Sequence, residues 1–182
     1  EELVVRACAS GVVSARDAAI TLLALSTGLR ACDIVVLRMG DVDWRGHTIG
    51  LVQQKTGNPL TLPLPALLLS KLASYVLDER PSSADDHLFL RSVAPHTRLN
   101  DHATVHRVTV ETFRKAGVNQ PKAGTRLLRH NAASRLLAAA VPLPTIAAVL
   151  GHASEESTNL YMSVDRLRLL DCVLPVPEAV RS

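Results

Sequence analysis

Arg126-Leu-Leu-Arg129-His130, then Leu150-Gly151-His152, then Tyr161: this order of cations, imidazole and phenol closes a chain of 182 residues. Cutting a phosphodiester without a metal calls for these types: cations for the phosphate charge, a nucleophile that holds the phosphorus, and hydrogen-bond donors around it. The leucines and alanines around Arg129 recur at helical spacing, so that face is expected to be buried. A buried guanidinium needs an anionic partner, which a phosphate or an internal carboxylate can supply. His152 follows a helix expected to end at Gly151, which exposes the imidazole at a helix terminus. A histidine bonded to backbone is the plainer alternative. The chain has two tyrosines. Tyr75 falls in an apolar helical stretch and reads as packing, so Tyr161 is the candidate nucleophile. A phenol of pKa ~10 is weak at neutral pH, and neighbouring cations favour its phenolate.

Upstream, Thr27-Gly-Leu-Arg30-Ala-Cys-Asp33, with Leu37 and Asp41-Val-Asp43 after it, sets an arginine behind a glycine turn. Guanidinium remains charged and grips two phosphate oxygens at once. Asp33, three residues on, shares the helical face and would orient that fork; an ordinary surface Arg–Asp pair reads the same way. Lys55 lies in the turn Gln54-Lys-Thr-Gly-Asn58, where a proton donor to a leaving oxygen and a solvated turn lysine are both open.

The surrounding pattern gives a mainly α chain with a small three-stranded antiparallel β-sheet, an α+β domain. Ser14-Ala-Arg-Asp17 reads as a capping box opening an apolar helix that runs to about Ser26. Ala31–Arg38 begins a second, short helix. Asp41–Trp44, His47–Gln53 and Leu60–Leu64 read as strands of a meander. Pro65 opens a helix to about Glu79, and Pro81–Asp86 reads as a flexible loop. Helices are expected at about 101–116, 127–140, 144–150, 155–162 and 165–172.

Apolar residues make up 47% of the chain, which argues against disorder. No apolar run approaches the ~20 residues of a membrane span. The three cysteines, Cys8, Cys32 and Cys172, are odd in number and widely spaced, which fits a reducing cytoplasm and supports neither disulfides nor a zinc site. The net charge of +3 hides an asymmetry, because residues 91–135 hold nine Lys/Arg and two acids. That +7 segment suits a polyanion such as a nucleic acid; a solvated helix face is the bland reading.

The ordered set of Arg30, Lys55, Arg129, His152 and Tyr161 resembles the catalytic domain of the tyrosine recombinases, the phage integrase family. The resemblance covers about residues 14–172. It implies one catalytic domain over residues 1–182, expected to be a fragment lacking an N-terminal core-binding domain. It also implies that Tyr161 attacks a DNA phosphate to give a 3′-phosphotyrosyl bond, with no metal, ATP or other cofactor. Arg30 and Arg129 would clamp the phosphate, His152 would add a hydrogen bond, and Lys55 would protonate the departing 5′-oxygen. His130 would have a supporting role, as would Asp33. Arg126 departs from the family pattern, which has histidine there. Arginine cannot accept a proton. It is therefore a third phosphate clamp, a sign of weakened cleavage, or a surface residue beside a slipped alignment. The resemblance further implies site-specific recombination or integration for a mobile element, by a homotetramer on DNA whose 164–182 tails are exchanged between subunits. The tail packing on its own domain is the alternative. Type IB topoisomerase-like relaxation and a non-cleaving DNA-binding relative are the rival functions.

Overall fold

The computed structural model describes residues 1–119 and 124–151. The helices expected at 155–162 and 165–172, together with the 164–182 tail, lie outside the described residues. Within them the chain runs α1 (Glu2–Ala9), α2 (Ala15–Thr27), α3 (Ala31–Val35), β1 (Val42–Asp43), β2 (Thr48–Val52), β3 (Pro59–Pro63), α4 (Ala66–Ser74), α5 (His102–Lys115), α6 (Thr125–Ala138) and α7 (Leu143–Leu150). This is the mainly helical architecture with one three-stranded antiparallel sheet that the sequence pattern leads one to expect.

The apolar helix α2 is the hub. Nine of its thirteen residues are buried, as expected of a helix surrounded by protein on several sides. It packs against α1, α4, α5 and α6. Ser14 caps its start, the hydroxyl accepting the Asp17 N–H at 3.2 Å. The Glu79 carboxylate accepts the next two amides, Ala15 N–H at 2.8 Å and Arg16 N–H at 3.1 Å. Gly28 ends α2 in the left-handed region at φ +67°. A methyl group there would lie 2.8 Å from Leu150 Cδ2 and 2.9 Å from Ala132 Cβ. Glycine thus serves two needs at that position: the turn, and the approach of α6 and α7.

The sheet has the order β1-β2-β3, with Ile49 opposite both Val42 and Leu62. Those three side chains are buried and seat the sheet on the core. Prolines at both ends of β3 suit an edge strand, which needs fewer ladder donors. β1 is two residues long rather than four, because the Asp43 carboxylate accepts the Arg45 and Gly46 amides at 3.0 and 2.8 Å and turns the chain early.

Three further features depart from the sequence reading. α1 was not expected, although Val4, Ala7 and Cys8 form its buried face at helical spacing. The helix after Pro65 leaves α geometry at Tyr75 and widens into a π turn over Tyr75–Glu79. Tyr75 is fully buried, stacks on Phe89 at 5.7 Å between ring centroids, and accepts the Leu90 N–H at 3.0 Å. The Pro81–Asp86 segment is well tied rather than loose. Arg80 donates to Asp85 O at 2.7 Å and His87 O at 2.8 Å, Ser83 donates to His96 O at 2.6 Å, and Asp85 accepts the Arg98 N–H at 2.8 Å.

Candidate active site

Arg30 is the N-cap of α3, two residues past the Gly28 turn. Its half-buried guanidinium donates through Nη2 to the carbonyl oxygen of Gly151, and its Nη1 is buried with no hydrogen-bond partner among the described residues. The expected Arg30–Asp33 pairing is not what forms. Asp33, 1% exposed, accepts the Gln54 N–H through Oδ1 at 2.8 Å, while its Oδ2 is buried without a hydrogen bond among the described residues. Asp33 therefore joins the helix that begins at Arg30 to the turn that carries Lys55.

That turn lies between β2 and β3. Gln53 N–H donates to Asn58 O at 2.9 Å and Gly57 N–H to Gln53 O at 2.8 Å, which closes the loop and presents Lys55 exposed at its tip. Gln53 itself drew no attention in the sequence, yet it is 1% exposed and both ends of its amide are engaged. Nε2 donates to Val149 O at 3.1 Å, and Oε1 accepts from the Thr56 hydroxyl at 2.8 Å.

Arg129 projects from α6 toward the same place. Its Nη1 donates to Gly28 O at 2.9 Å and its Nη2 to Leu150 O. Arg126, one turn earlier, is exposed in the first turn of α6. Among the described residues that end of the helix has no side-chain cap, and its first turn holds no acid. A cation there opposes the helix dipole, so the placement does not serve helix stability. His106 of α5 packs directly over Gly124, the N-cap of α6. His130 is half-buried.

Three consecutive carbonyls at the end of α7 thus accept from three separate elements: Val149 from Gln53, Leu150 from Arg129, and Gly151 from Arg30. Helix C-terminal carbonyls lack internal partners and favour cations. Gly151 closes α7 at φ +60° and is buried. His152, the next residue, and Tyr161 lie outside the described residues. The structure brings Arg30, Arg129 and the Lys55 turn to one end of α7, with Arg126 one helical turn from Arg129.

Of the basic segment, Arg114 is paired with Glu111, and Arg135 with Glu1 and Leu25 O. Arg98, Arg107 and Arg126 are exposed. Elsewhere Asp85, Asp86 and His87 hold potential ligand atoms within 4.8 Å of one another. Both carboxylates are already engaged, Asp85 by His87 and Arg98, and Asp86 by Arg38. Among the described residues no helix is long and apolar enough to cross a membrane.

The model of the phage integrase family matches residues 1–168. The chain belongs to that family. A putative integrase/recombinase, y4rF, of Sinorhizobium fredii is 32% identical over 166 residues, 91% of this chain and 39% of that protein. The tyrosine recombinase XerA of Pyrococcus furiosus is 30% identical over 158 residues, 87% of this chain and 54% of its own length. The chain thus spans about half or less of these two relatives. Among solved structures, XerA recombinase superposes with a TM-score of 0.78 at 25% identity, over 96% of this chain and 63% of that one. The XerH site-specific recombinase, solved as a post-cleavage complex with its palindromic difH substrate, reaches 0.76 at 23% identity over 94% of this chain and 50% of that one, and shares the fold.

Proposed function

We propose that this family member breaks and rejoins double-stranded DNA at specific sites through a covalent bond to Tyr161. The observation that carries the reading is the convergence of Arg30, Arg129 and the Lys55 turn on the end of α7, from stretches nearly 100 residues apart in sequence (30 to 129). The relatives' names and the DNA complex of XerH support it.

In this mechanism Tyr161 Oη forms a bond to phosphorus and the P–O5′ bond breaks. Lys55 delivers a proton to the departing 5′-oxygen, which adds about 10²–10⁴-fold. The covalent bond conserves the phosphodiester energy, so a second strand's 5′-hydroxyl reverses the step without ATP or metal. Arg30 and Arg129 stabilise the five-coordinate phosphorus and His152 adds a hydrogen bond. Among the described residues Arg30 Nη1 is a buried donor without an acceptor; such groups are rare enough to call for an explanation, and a phosphate oxygen supplies one. Arg126 supplies a third positive charge. Being unable to accept the tyrosine proton, it leaves that step to water or a DNA oxygen. His130 and Asp33 act in support.

The full reaction is recombination or integration for a mobile element, in the cytoplasm, by a homotetramer whose 164–182 tails dock on neighbouring subunits. The deciding experiment traps protein on nicked duplex DNA. Tyr161→Phe abolishes the covalent adduct while DNA binding persists. An adduct that survives the substitution removes Tyr161 from its role, and no adduct from the parent protein on any DNA favours a non-cleaving binder.

A further inference from the structure

We infer that Gln53 is a positioning residue for the leaving-group proton donor, coupling the Lys55 turn to the end of α7. This inference rests on the proton-donor reading of Lys55 given above. Gln53 stands two residues before Lys55, and its amide faces in two directions. Through Oε1 it holds Thr56, the residue after Lys55, at 2.8 Å; through Nε2 it holds Val149 O at 3.1 Å, two residues before Gly151. Both ends of a buried amide are therefore satisfied within the site, which makes their geometry costly to change.

The neighbouring contacts make the placement specific. A methyl group on Gly151 would overlap Gln53 Oε1, lie 2.7 Å from Gln53 Cδ and 2.8 Å from Arg30 Nη1. Glycine at 151 is thus what lets the amide and the Arg30 guanidinium share one small space. On the other side, the Gln54 amide is held by Asp33 at 2.8 Å. The two residues before Lys55 are thereby bolted to different bodies, Gln53 to α7 and Gln54 to α3. Lys55 is exposed and its own side chain has no hydrogen bond among the described residues, so its reach depends on the turn beneath it. With Gln53 released, the turn retains its backbone closure but loses its register to the carbonyls that Arg30 and Arg129 hold.

Gln53→Glu tests this role, and because its carboxylate also lies near Arg30 it is read together with Thr56→Val, which leaves that space unchanged. The side chain keeps its shape and an acceptor for Thr56, but faces Val149 O with an oxygen instead of an N–H. Gln53→Ala is the second variant, and Thr56→Val removes the hydroxyl link alone. The assay is single-turnover cleavage by the intact protein of a nicked duplex, its sequence taken from the DNA trapped on Tyr161. It is run with the natural 5′-oxygen and with a 5′-sulfur at the scissile phosphate. A thiolate leaves without protonation, so a defect in proton delivery disappears on the sulfur substrate.

On the oxygen substrate Gln53→Glu cleaves about 10–100-fold more slowly, as expected when a catalytic group is misplaced by about 1 Å, with unchanged DNA affinity. On the sulfur substrate it comes within about threefold of the parent, and Lys55→Ala follows the same pattern with a larger defect. A defect of equal size on both substrates in Gln53→Glu and Thr56→Val alike, or no defect in either, overturns the positioning role while leaving Lys55 as donor. If Lys55→Ala is not rescued by sulfur, the proton-donor reading fails and takes the inference with it. Should Gln53→Glu not fold, Thr56→Val reads the same coupling and must show the same oxygen-selective loss.

Discussion

Arg129 Nη1 donates at 2.9 Å to the carbonyl oxygen of Gly28, two residues ahead of Arg30. The second arginine of the site thus braces the turn that presents the first. Its other nitrogen reaches Leu150 O, so one planar group spans the end of α2 and the end of α7. Arg129→Lys preserves the charge but concentrates its donors on one nitrogen, so it does not reproduce the two-nitrogen fork that spans Gly28 O and Leu150 O. We expect a loss of about 1–3 kcal/mol in unfolding free energy and a fall in cleavage of at least about 10²-fold. Urea denaturation and adduct formation on nicked DNA check the two effects. A variant equal to the parent in both would remove the brace.

Gly28→Ala strikes the same junction through backbone and packing together. Left-handed strain adds to overlap with Leu150 and Ala132, for about 3 kcal/mol. Gly117, at φ +71° with open space around its α-carbon, is the control. There alanine meets only the strain, about 1 kcal/mol. Equal shifts in urea midpoint for the two variants would show that α6 and α7 do not close on Gly28.

Arg126→Ala separates stability from chemistry. An exposed cation in the first turn of α6 opposes the dipole, so its removal changes unfolding by no more than about 0.5 kcal/mol. Cleavage falls if it clamps phosphate. Thermal melts run beside suicide-substrate cleavage give the answer, with Arg126→His as the companion. Normal cleavage by both variants would end the catalytic reading of Arg126.

Asp85 makes the 80–98 region sensitive to acid. Amide and ring donors of His87, with the Arg98 amide, hold its carboxyl well below the usual carboxylate range. A carboxyl with a depressed folded pKa contributes stability that is present above its unfolded value, ~3.9, and is lost as pH falls toward the folded one. Asp85→Asn should therefore be less stable than the parent at pH 7, with the gap closing below about pH 4. Melting temperatures from pH 2.5 to 7 test this. A gap that does not depend on pH would mean that the carboxylate charge contributes nothing there.

Much of this architecture was legible because its signals are local. Ser14 and Asp17 mark the start of α2, and Gly28 marks its end. The alternation from His47 to Leu64 gives the sheet. Arg129 announces itself because charge among otherwise apolar helical positions is uncommon, whereas Arg30, at a helix cap, and Lys55, in a turn, stand out only through the resemblance to the family. What escaped depends on residues distant in sequence. Tyr75 breaks α geometry to reach Phe89 and Leu90, which no periodicity within 66–79 encodes. Asp33 has the right spacing for Arg30, but the Gln54 amide, folded back by the sheet, takes its carboxylate. Gln53 carries neither charge nor nucleophile, and only the arrival of α7 reveals its use. α1 was legible in principle from the Val4, Ala7, Cys8 spacing.

Tyr75 has one more consequence. The chain has two phenols, and this one is sealed inside, where burial also pushes its ionisation upward. Reagents that modify tyrosine in the folded protein, such as iodination or tetranitromethane, should spare Tyr75. Any modified tyrosine formed before unfolding is then assigned to position 161. With the hydroxyl that anchors Leu90 sealed inside, protection of tyrosine from such reagents by added DNA can be followed without any substitution.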